Sequence, residues 1–398
     1  MTRVTFFAFD IAEAAQIRRI ESIQSLGVDV TSVSFRRSNM NEGFNPHWPD
    51  LPLGFQQNNA FLRRGFQAAK AVFKVMRKRA VIADSAVWVA RNIDMLAIAW
   101  AVKTLLVRRR VKLVYECLDI HSLFTKTGPV GATMRWIERR LLDRIDLLVI
   151  SSPAFERCYF SQRQTYSGAI ALIENKLWLG EAPMPRPAAP RRPKDQRVLG
   201  WVGSLRCPDS LRILAGAADA MGAELQIRLH GNVHHHALPD FDDIVSRRPN
   251  MTYHGPYDYP HDLGPIYTAC DLVWAQDLWQ RGGNSDWLLP NRIYEASYYG
   301  CPSIAVAGME TGRRVAEGNL GITLPAAETG ALVTALRDMS AERCRAASQH
   351  LLDQPDARFR LTADELRRHL QPVLPHLHAD SQNNPQIRGG SISKPAKI

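Results

Sequence analysis

The stretch NSDWLLPNRIYEASYYGCPSIAVAG, residues 284–308, predicts a helix followed directly by a buried strand. Pro290 suits the first turn of a helix, because the N–H that proline lacks would have no partner there. Gly300 suits the left-handed position that ends a helix, and Pro302 prevents the helix from continuing. We therefore predict a helix over 290–299, and the apolar run after it is the strand.

Outward from this segment, short runs of β-branched and apolar residues alternate with segments of helical length. The predicted strands are 4–9, 28–35, 87–90, 111–116, 147–150, 198–202, 225–229, 251–253, 272–275 and 303–306. Strands separated by helical crossovers form a parallel sheet with helices on both faces. We predict an α/β protein of two Rossmann-like, doubly wound domains that face a central cleft, where ligands bind at the carboxyl ends of the strands.

Proline and polar residues mark the predicted domain boundaries. The segment 181–197 contains five prolines and no apolar periodicity, which is typical of a linker. It separates two predicted domains, 1–180 and 198–350. After them we predict a closing helix over 351–371 and a disordered tail over 372–398.

The composition narrows the class of protein. A hydrophobic share of 45% and a charged share of 22% exclude a disordered, collagen-like or coiled-coil chain. The formal net charge of +11 favours anionic partners. The six cysteines form no CxxC pair and show no zinc-ligand spacing, which indicates a reducing compartment. The longest apolar run, 95–107, is shorter than the ~20 residues that cross a bilayer, so we expect a cytoplasmic protein.

The helix that follows Pro290 offers a place for an anion. Its first N–H groups and the positive end of its dipole favour a diphosphate, and Arg292 adds charge in the first turn. Asn291 and Glu295 lie one turn apart and share a face. A carboxylate at Glu295 can accept hydrogen bonds from a vicinal diol such as a ribose. The alternative is a well-capped amphipathic helix in which Glu295 is merely solvated.

The segment PNRIYEASYYGCPSIA resembles the donor-binding signature of retaining GT-B glycosyltransferases of the family 4 type. In that signature a basic residue, a Tyr–Glu pair, a helix, Gly and Pro recur in this order. The stretch VLGWVGSL, 198–205, is similar to the first strand and glycine turn of the donor domain, and it places Gly203 in that turn. The resemblance implies that Glu295 binds the ribose of a nucleotide sugar and that domain 1–180 binds the acceptor.

The chain departs from that signature at the first of its two usual glutamates. Trp287 stands at this position, with Asp286 one residue away. The resemblance implies that the position contacts the donor sugar. In this chain Asp286, Trp287 or the preceding turn of Gly282, Gly283 and Asn284 takes that role, or the role is not filled.

Cleavage of a sugar from a nucleoside diphosphate leaves negative charge on the departing phosphate, which fixed cations stabilise. Arg206 and Arg292 are the candidates for this role, which makes Arg292 a candidate catalytic residue and requires no metal and no cofactor. Two further polar strings, the acids at 240–243 and the histidines at 234–236, are interpreted as solvated. Three consecutive histidines point in alternating directions in an extended chain and do not converge on one ion.

Polar residues that follow the strands of the amino-terminal domain are candidates for the acceptor site. Asp119 and His121 come after a predicted strand, and histidine titrates in the range useful for a catalytic base. The alternative is a capping aspartate and a structural histidine. The resemblance to retaining enzymes implies front-face displacement, in which a phosphate oxygen takes the acceptor proton and no protein base is needed. Asp10, Arg91 and Asn92 are further candidates for acceptor binding.

The segment FLRRGFQAAKAVFKVMRKR, 61–79, contains seven basic residues and no acid. Its apolar residues fall at helical spacing, with basic residues on another side: Leu62, Phe66, Ala69, Phe73 and Met76. A basic amphipathic helix of this kind can lie on anionic lipid. The alternative is a surface helix that packs on the sheet and leaves a solvated basic face.

We therefore predict a metal-independent, retaining glycosyltransferase that moves a hexose from a nucleoside diphosphate sugar such as UDP-glucose to a saccharide acceptor. The resemblance extends to bacterial exopolysaccharide assembly of the succinoglycan type. It implies a polyprenyl-diphosphate-linked acceptor, with the enzyme on the cytoplasmic face of the inner membrane. The alternatives are a sugar-nucleotide epimerase on the same scaffold and a catalytically silent nucleotide-binding scaffold protein. We expect no nucleic-acid partner, because the chain has no RNA-recognition or zinc-finger signature.

Overall fold

The computed structural model describes residues 2–37, 41, 43–56, 61–106, 110–180, 184–191 and 196–375, with backbone alone at 61–64. The chain forms two compact units. The first unit consists of Met1–Glu174 together with a segment that starts at Thr362. The second unit is Asn175–Leu361. The first unit thus ends before the predicted boundary at 180.

The first unit is built on a seven-stranded parallel sheet with the strand order β3-β2-β1-β4-β5-β6-β7. Its strands are β1 (Arg3–Ala8), β2 (Asp29–Arg36), β3 (Asp50–Phe55), β4 (Ser85–Arg91), β5 (Lys112–Cys117), β6 (Leu147–Ile150) and β7 (Ile170–Leu172). Its helices are α1 (Ala14–Gln24), α2 (Phe61–Arg77), α3 (Ile93–Leu105), α4 (Ser122–Thr125) and α5 (Gly128–Leu142), with a π-helical turn at Phe155–Phe160. Apolar β-branched residues meet across the central strands, where Val4 lies opposite Val30 and Val87.

The second unit is built on a six-stranded parallel sheet with the order β10-β9-β8-β11-β12-β13. Its strands are β8 (Arg197–Val202), β9 (Leu225–His230), β10 (Met251–Tyr253), β11 (Leu272–Trp274), β12 (Ser303–Val306) and β13 (Gly321–Leu324). Its helices are α6 (Pro208–Met221), α7 (Phe241–Ser246), α8 (Leu263–Thr268), α9 (Asn284–Trp287), α10 (Arg292–Tyr298), α11 (Glu310–Glu317), α12 (Thr329–Asp338) and α13 (Ala341–Leu352). Alternate residues of β8 supply two separate cores, Leu199 and Trp201 to one and Val198 and Val202 to the other. The sheet is therefore covered on both faces, as the apolar runs predict.

Both sheets reverse their strand order at the first strand of the unit, between β1 and β4 and between β8 and β11. In open α/β sheets this reversal leaves a crevice at the carboxyl ends of the strands, and ligands bind there. In the second unit a ligand is therefore expected at the ends of β8 and β11.

The described part of the proline-rich segment packs on the second unit. Arg186 donates hydrogen bonds to the carbonyl oxygens of Tyr298 (2.8 Å) and Leu351 (2.7 Å), and Arg191 donates to that of Ala269 (2.7 Å). Arginines between the prolines thus hold this part on the second unit through backbone carbonyls, while its described residues stay partly or fully exposed. Its role as a linker stays a prediction. Residues 181–183 and 192–195 lie outside the described residues.

The end of the chain differs from the predicted closing helix over 351–371. After α13 a 3-10 turn, Asp356–Arg358, follows Pro355, and the separate helix α14 (Ala363–Leu370) packs against β7 of the first unit. Val373 and Leu374, in the predicted tail, are buried. Residues 376–398 are not among those described. Within the described chain, every helix is too short or too polar to cross a bilayer.

One buried acid of the first unit predicts a pH dependence of stability. Glu138 on α5 accepts hydrogen bonds from Tyr115 (3.4 Å), Tyr159 and Gln164. Burial raises the pKa of Glu138 to about 7, although these hydrogen bonds oppose the change. The folded state binds the proton of the Glu138 carboxyl more tightly than the unfolded chain does. Protonation of Glu138 therefore stabilises the fold fully below the ordinary pKa of 4.5, and this stabilisation is lost as the pH rises through 7.

Glu138→Gln stays neutral at every pH. The free energy of unfolding of this variant, relative to that of the unsubstituted protein, is expected to be about 3 kcal/mol higher at about pH 8 than at about pH 5. Urea unfolding of both proteins at these two pH values measures the difference. A stability difference between the two proteins that is the same at both pH values would contradict the pKa assigned to Glu138.

Candidate functional site

Two glycines leave the ends of β8 and β9 without side chains. Gly203 follows β8 with a φ of 112°, and its N–H donates to the carbonyl oxygen of His230 (2.9 Å) at the end of β9. Gly231 follows β9, and a Cβ there would lie 1.8 Å from the carbonyl oxygen of Gly203. The two turns therefore require glycine, and bare backbone faces whatever binds at this edge of the sheet.

Arg292 lies beside this bare backbone. Its Nη2 is 3.8 Å from the position that a Cβ on Gly203 would take. Its Nη1 donates to the carbonyl oxygen of Trp274, the last residue of β11, at 3.4 Å. A neutral carbonyl does not cancel the positive charge of the guanidinium. Arg292 thus places a cation at the point where the strand order reverses, in a geometry suited to a phosphate.

The helix that carries Arg292 begins later than predicted. α10 starts at Arg292 and not at Pro290. The N–H groups of Ile293, Tyr294 and Glu295 already donate to carbonyl oxygens, at 3.3 Å to Pro290 and at 2.9 and 3.0 Å to Asn291. Carbonyls of the preceding turn therefore already accept three of the N–H groups that were expected to be free for a diphosphate. The Arg292 guanidinium remains available as an anion-binding group of this helix.

Glu295 lies one turn further along α10 and is 4% exposed. It accepts a hydrogen bond of 3.0 Å from the hydroxyl of Tyr267 on α8. Burial, together with the charge of Glu295, raises the pKa of Tyr267 well above its ordinary value, so the hydroxyl keeps its proton and donates it to the carboxylate. The alternative in which Glu295 is merely solvated is wrong.

The loop after β11 is organised by Asp277, which the sequence analysis missed. Asp277 Oδ1 accepts hydrogen bonds from the Ser285 hydroxyl (2.5 Å) and the Trp279 N–H (2.9 Å). Its Oδ2 lies 3.5 Å from Nη2 of Arg206. Asp277 therefore ties Arg206, which follows β8, to the loop that follows β11. Its place just after a buried strand is the signal that could have identified it.

The predicted sugar-binding turn lies in this same loop. Gly282 has a φ of 78°, and its N–H donates to Asp286 Oδ2 (3.0 Å). Gly283 precedes α9, whose N-terminal residue Asn284 is buried and whose C-terminal residue Trp287 is partly exposed. Asp286 thus folds back on the turn, and the structure gathers all five residues in one short segment next to Asp277.

One histidine of the 234–236 string also belongs to this edge. His234 Nε2 is 2.9 Å from the Ser204 hydroxyl, and Ser204 directly follows Gly203. Burial, followed by the charge of Arg206, lowers the pKa of His234 and favours the neutral ring. The predicted solvated string is thus wrong for His234, whereas His235 and His236 are exposed.

The acids at 240–243 do not form the loop that was expected. Asp240 precedes α7, and Asp242 and Asp243 lie in its first turn. Acids in the first turn favour a helix because they complement its dipole. Among the described residues no group of three or more His, Cys, Asp or Glu side chains is arranged to hold a metal ion.

In the first unit, three predicted acceptor residues serve the local fold. Asp10 Oδ1 accepts hydrogen bonds from the N–H groups of Ala12 (3.1 Å) and Arg37 (3.4 Å), and burial raises the pKa of Asp10. Arg91 donates to the buried Glu116 (2.8 Å). Asn92 caps α3. The structure brings these side chains to one edge of the sheet, and hydrogen bonds within the unit hold each of them there. Their part in acceptor binding stays a prediction.

Asp119 and His121 are both exposed and lie between β5 and α4. His121 Nδ1 accepts a hydrogen bond from the N–H of Leu123 (3.2 Å), which caps α4. The neutral ring therefore carries its proton on Nε2. The capping geometry matches the alternative in which His121 has a structural role.

No protein-family model matches the chain. In sequence it is 34% identical over 344 residues to the succinoglycan biosynthesis protein ExoL of Rhizobium meliloti (strain 1021). The aligned region covers 84% of each chain. In fold it is similar to the sucrose-phosphate synthase from Thermosynechococcus elongatus, with a TM-score of 0.73 at 16% identity over 96% of this chain and 100% of the other. It is also similar to Anabaena Alr3699/HepE in complex with UDP and glucose, with a TM-score of 0.65 at 15% identity over 94% and 100%.

Two Rossmann-like units with these strand orders form the GT-B fold, which is also the fold of the solved structures named above. The predicted fold class is confirmed, and so is the resemblance to exopolysaccharide assembly proteins of the succinoglycan type. More narrowly, the chain belongs to the ExoL family of succinoglycan biosynthesis proteins.

Proposed function

We propose that the second unit binds UDP-glucose or a closely related UDP-hexose and that the enzyme transfers the hexose to a lipid-linked saccharide in exopolysaccharide assembly. The observation that carries the proposal is the guanidinium of Arg292 beside the bare backbone of Gly203, where the strand order reverses. Two comparisons support it. HepE was solved with UDP and glucose, and ExoL is a succinoglycan biosynthesis protein.

The diphosphate would lie above Gly203, with Arg292 on one side and Arg206 on the other. As the bond to the sugar breaks, negative charge grows on the departing phosphate, and two fixed guanidinium groups stabilise it without a metal. The hexose is transferred with retention, and a phosphate oxygen takes the proton of the acceptor hydroxyl. The use of His121 Nδ1 as a helix cap fits a reaction without a protein base.

A thermal-shift panel tests the donor. A ligand that binds the folded protein raises its melting temperature in proportion to RT ln(1 + [L]/Kd). UDP-glucose is expected to raise the melting temperature more than GDP-glucose or dTDP-glucose, with and without EDTA. No shift with any nucleotide sugar would overturn the proposed donor site, and a shift that EDTA abolishes would overturn the metal-independent reaction.

Glu295 is the proposed ribose ligand, and its substitution by glutamine tests the carboxylate at constant size. Hydrogen bonds to a charged group contribute about 1.5–3 kcal/mol, so Glu295→Gln is expected to weaken UDP binding by about tenfold to a hundredfold. Isothermal titration with UDP measures the change. Tyr267→Phe is the matched control, because it removes only the hydrogen bond that orients Glu295. An equal loss in both variants would show that Glu295 acts through the fold and not on the ribose.

The two alternative functions give different products. An epimerase on this scaffold would equilibrate UDP-glucose with an isomer in the absence of any acceptor. A silent scaffold protein would bind UDP-glucose and release no product. The proposed enzyme is expected to consume UDP-glucose and to label a lipid-linked saccharide, which thin-layer chromatography of a lipid extract detects.

A further inference from the structure

The exposed large apolar side chains of the described residues are concentrated on the first unit. Eight of the nine lie there: Phe55, Phe66, Phe73, Trp100, Leu105, Val130, Trp136 and Ile137. Seven of these eight belong to three helices that pack side by side, because α2 contacts α3 and α3 contacts α5. We refer to α2, α3 and α5 as the outer helix layer. Clustering of this kind marks an interaction surface, whereas single exposed apolar residues do not.

Helix α2 faces its aromatic residues away from the core. It packs through the buried side chains of Ala71 and Val75, whereas Phe66 and Phe73 are 63% and 64% exposed. The two phenylalanines are seven residues apart, which is two turns, so they lie on the same exposed face. The predicted apolar face, which includes both, is thus not the face that packs.

Cations surround these exposed rings. The Lys70 ammonium lies 4.6 Å from the centre of the Phe66 ring, and the Arg77 guanidinium lies 5.8 Å from that of Phe73. Lys74 is exposed between them. On α5 the guanidinium of Arg140 lies 5.6 Å from the centre of the Trp136 ring, which repeats the arrangement.

Acids are scarce on this surface. The segment 61–79 contains none. On α3 a partly exposed acid, Asp94, lies in the first turn. On α5 the carboxyl of Glu138 is buried, and Asp143 stands at the end of the helix. Arg110, after α3, is exposed and adds positive charge, while Arg108 and Arg109 lie outside the described residues. The surface therefore combines apolar rings with an excess of positive charge.

We propose that the outer helix layer docks on an anionic lipid bilayer. Phe66 and Phe73 insert at the boundary between head groups and acyl chains, and Lys70, Lys74 and Arg77 bind lipid phosphates. Charge complementarity selects this partner, because each basic residue near an anionic surface contributes about 1 kcal/mol of attraction and the inserted rings add their buried apolar area. None of these residues belongs to the proposed donor site, so the two proposals stand separately.

Co-sedimentation of the full chain with vesicles tests the surface. We expect binding to vesicles of phosphatidylcholine with phosphatidylglycerol, little binding to phosphatidylcholine alone, and a decrease in binding as salt is added. The double variant Phe66→Ser, Phe73→Ser is expected to bind at least about tenfold more weakly, because each ring loses favourable burial. Lys74→Glu is expected to weaken binding, whereas Arg345→Glu, an equally exposed change on α13, is expected to leave it unchanged.

The outcomes separate this inference from the donor proposal. A thermal shift with UDP-glucose that is the same in the double variant and the unsubstituted protein shows that the variant is folded. Absence of vesicle binding, equal binding to both lipid compositions, or equal binding by the double variant would each overturn the docking surface. Vesicle binding as predicted without any shift by UDP-glucose would uphold the docking surface and refute the donor site.

Discussion

Replacement of Arg292 by alanine is expected to lower hexose transfer by about 10²–10³-fold while the fold stays intact. Loss of one fixed donor to a developing negative charge costs this much in other enzymes. In this protein Arg292 makes one long hydrogen bond to a carbonyl, at 3.4 Å, so its removal disturbs few internal contacts. Initial rates of UDP release in the presence of acceptor, with circular dichroism as a check on folding, measure the effect.

Two further variants make the result specific. Arg292→Lys keeps the charge but loses the planar fork that binds phosphate through two hydrogen bonds, so we expect partial recovery of the rate. Arg247→Ala removes an exposed arginine that pairs with Asp243 in the same unit, and it is expected to leave the rate unchanged. A rate for Arg292→Ala within twofold of the unsubstituted enzyme would exclude Arg292 from the donor site.

Gly231→Ala is expected to cause the largest loss of stability. A Cβ at this position would lie 1.8 Å from the carbonyl oxygen of Gly203, and φ is 125°. An alanine at this positive φ is strained, and backbone atoms of both turns would also have to move. We therefore expect the free energy of unfolding to fall by about 4 kcal/mol or more. We expect the melting temperature to fall by about 10 °C and donor binding to be lost, because the turn of Gly203 moves.

Gly54→Ala is the matched control for this experiment. Gly54 has a φ of 121°, close to that of Gly231, but no atom lies within 4 Å of a Cβ placed there. It therefore measures conformational strain without a clash, and we expect a decrease of only a few degrees in the melting temperature. Equal decreases in the two variants would show that the close approach of Gly231 to Gly203 does not occur in solution.

The sequence predicted the fold well where buried strands are long or clearly bounded. The strands at 147–150, 251–253 and 303–306 match β6, β10 and β12 residue for residue. Three other strands, β3, β7 and β13, were missed. β3 contains Pro52 and Gly54, which weaken a strand pattern, and β13 begins at a glycine. α5 begins at Gly128 and Pro129, and these two residues obscure the start of its helical pattern in the sequence.

In the candidate site, the sequence identified residues that can be recognised from their place just after a strand or at the start of a helix. Gly203, Arg206 and Arg292 follow from strand ends and one helix, and the structure brings Gly203 and Arg292 together. Asp277 was missed because its role depends on Ser285 and Trp279, which reach it only when the loop folds back. The sequence left two alternatives open for the apolar residues of α2, because helical spacing shows that residues share a face but not which face packs.

The central claim is that a donor diphosphate binds over Gly203 between Arg206 and Arg292. A crystal structure of the protein soaked with UDP tests it most directly. We predict both phosphates at that edge, with oxygens within hydrogen-bond distance of the Arg292 guanidinium. UDP bound elsewhere, with the Arg292 guanidinium contacting only protein, would contradict the claim.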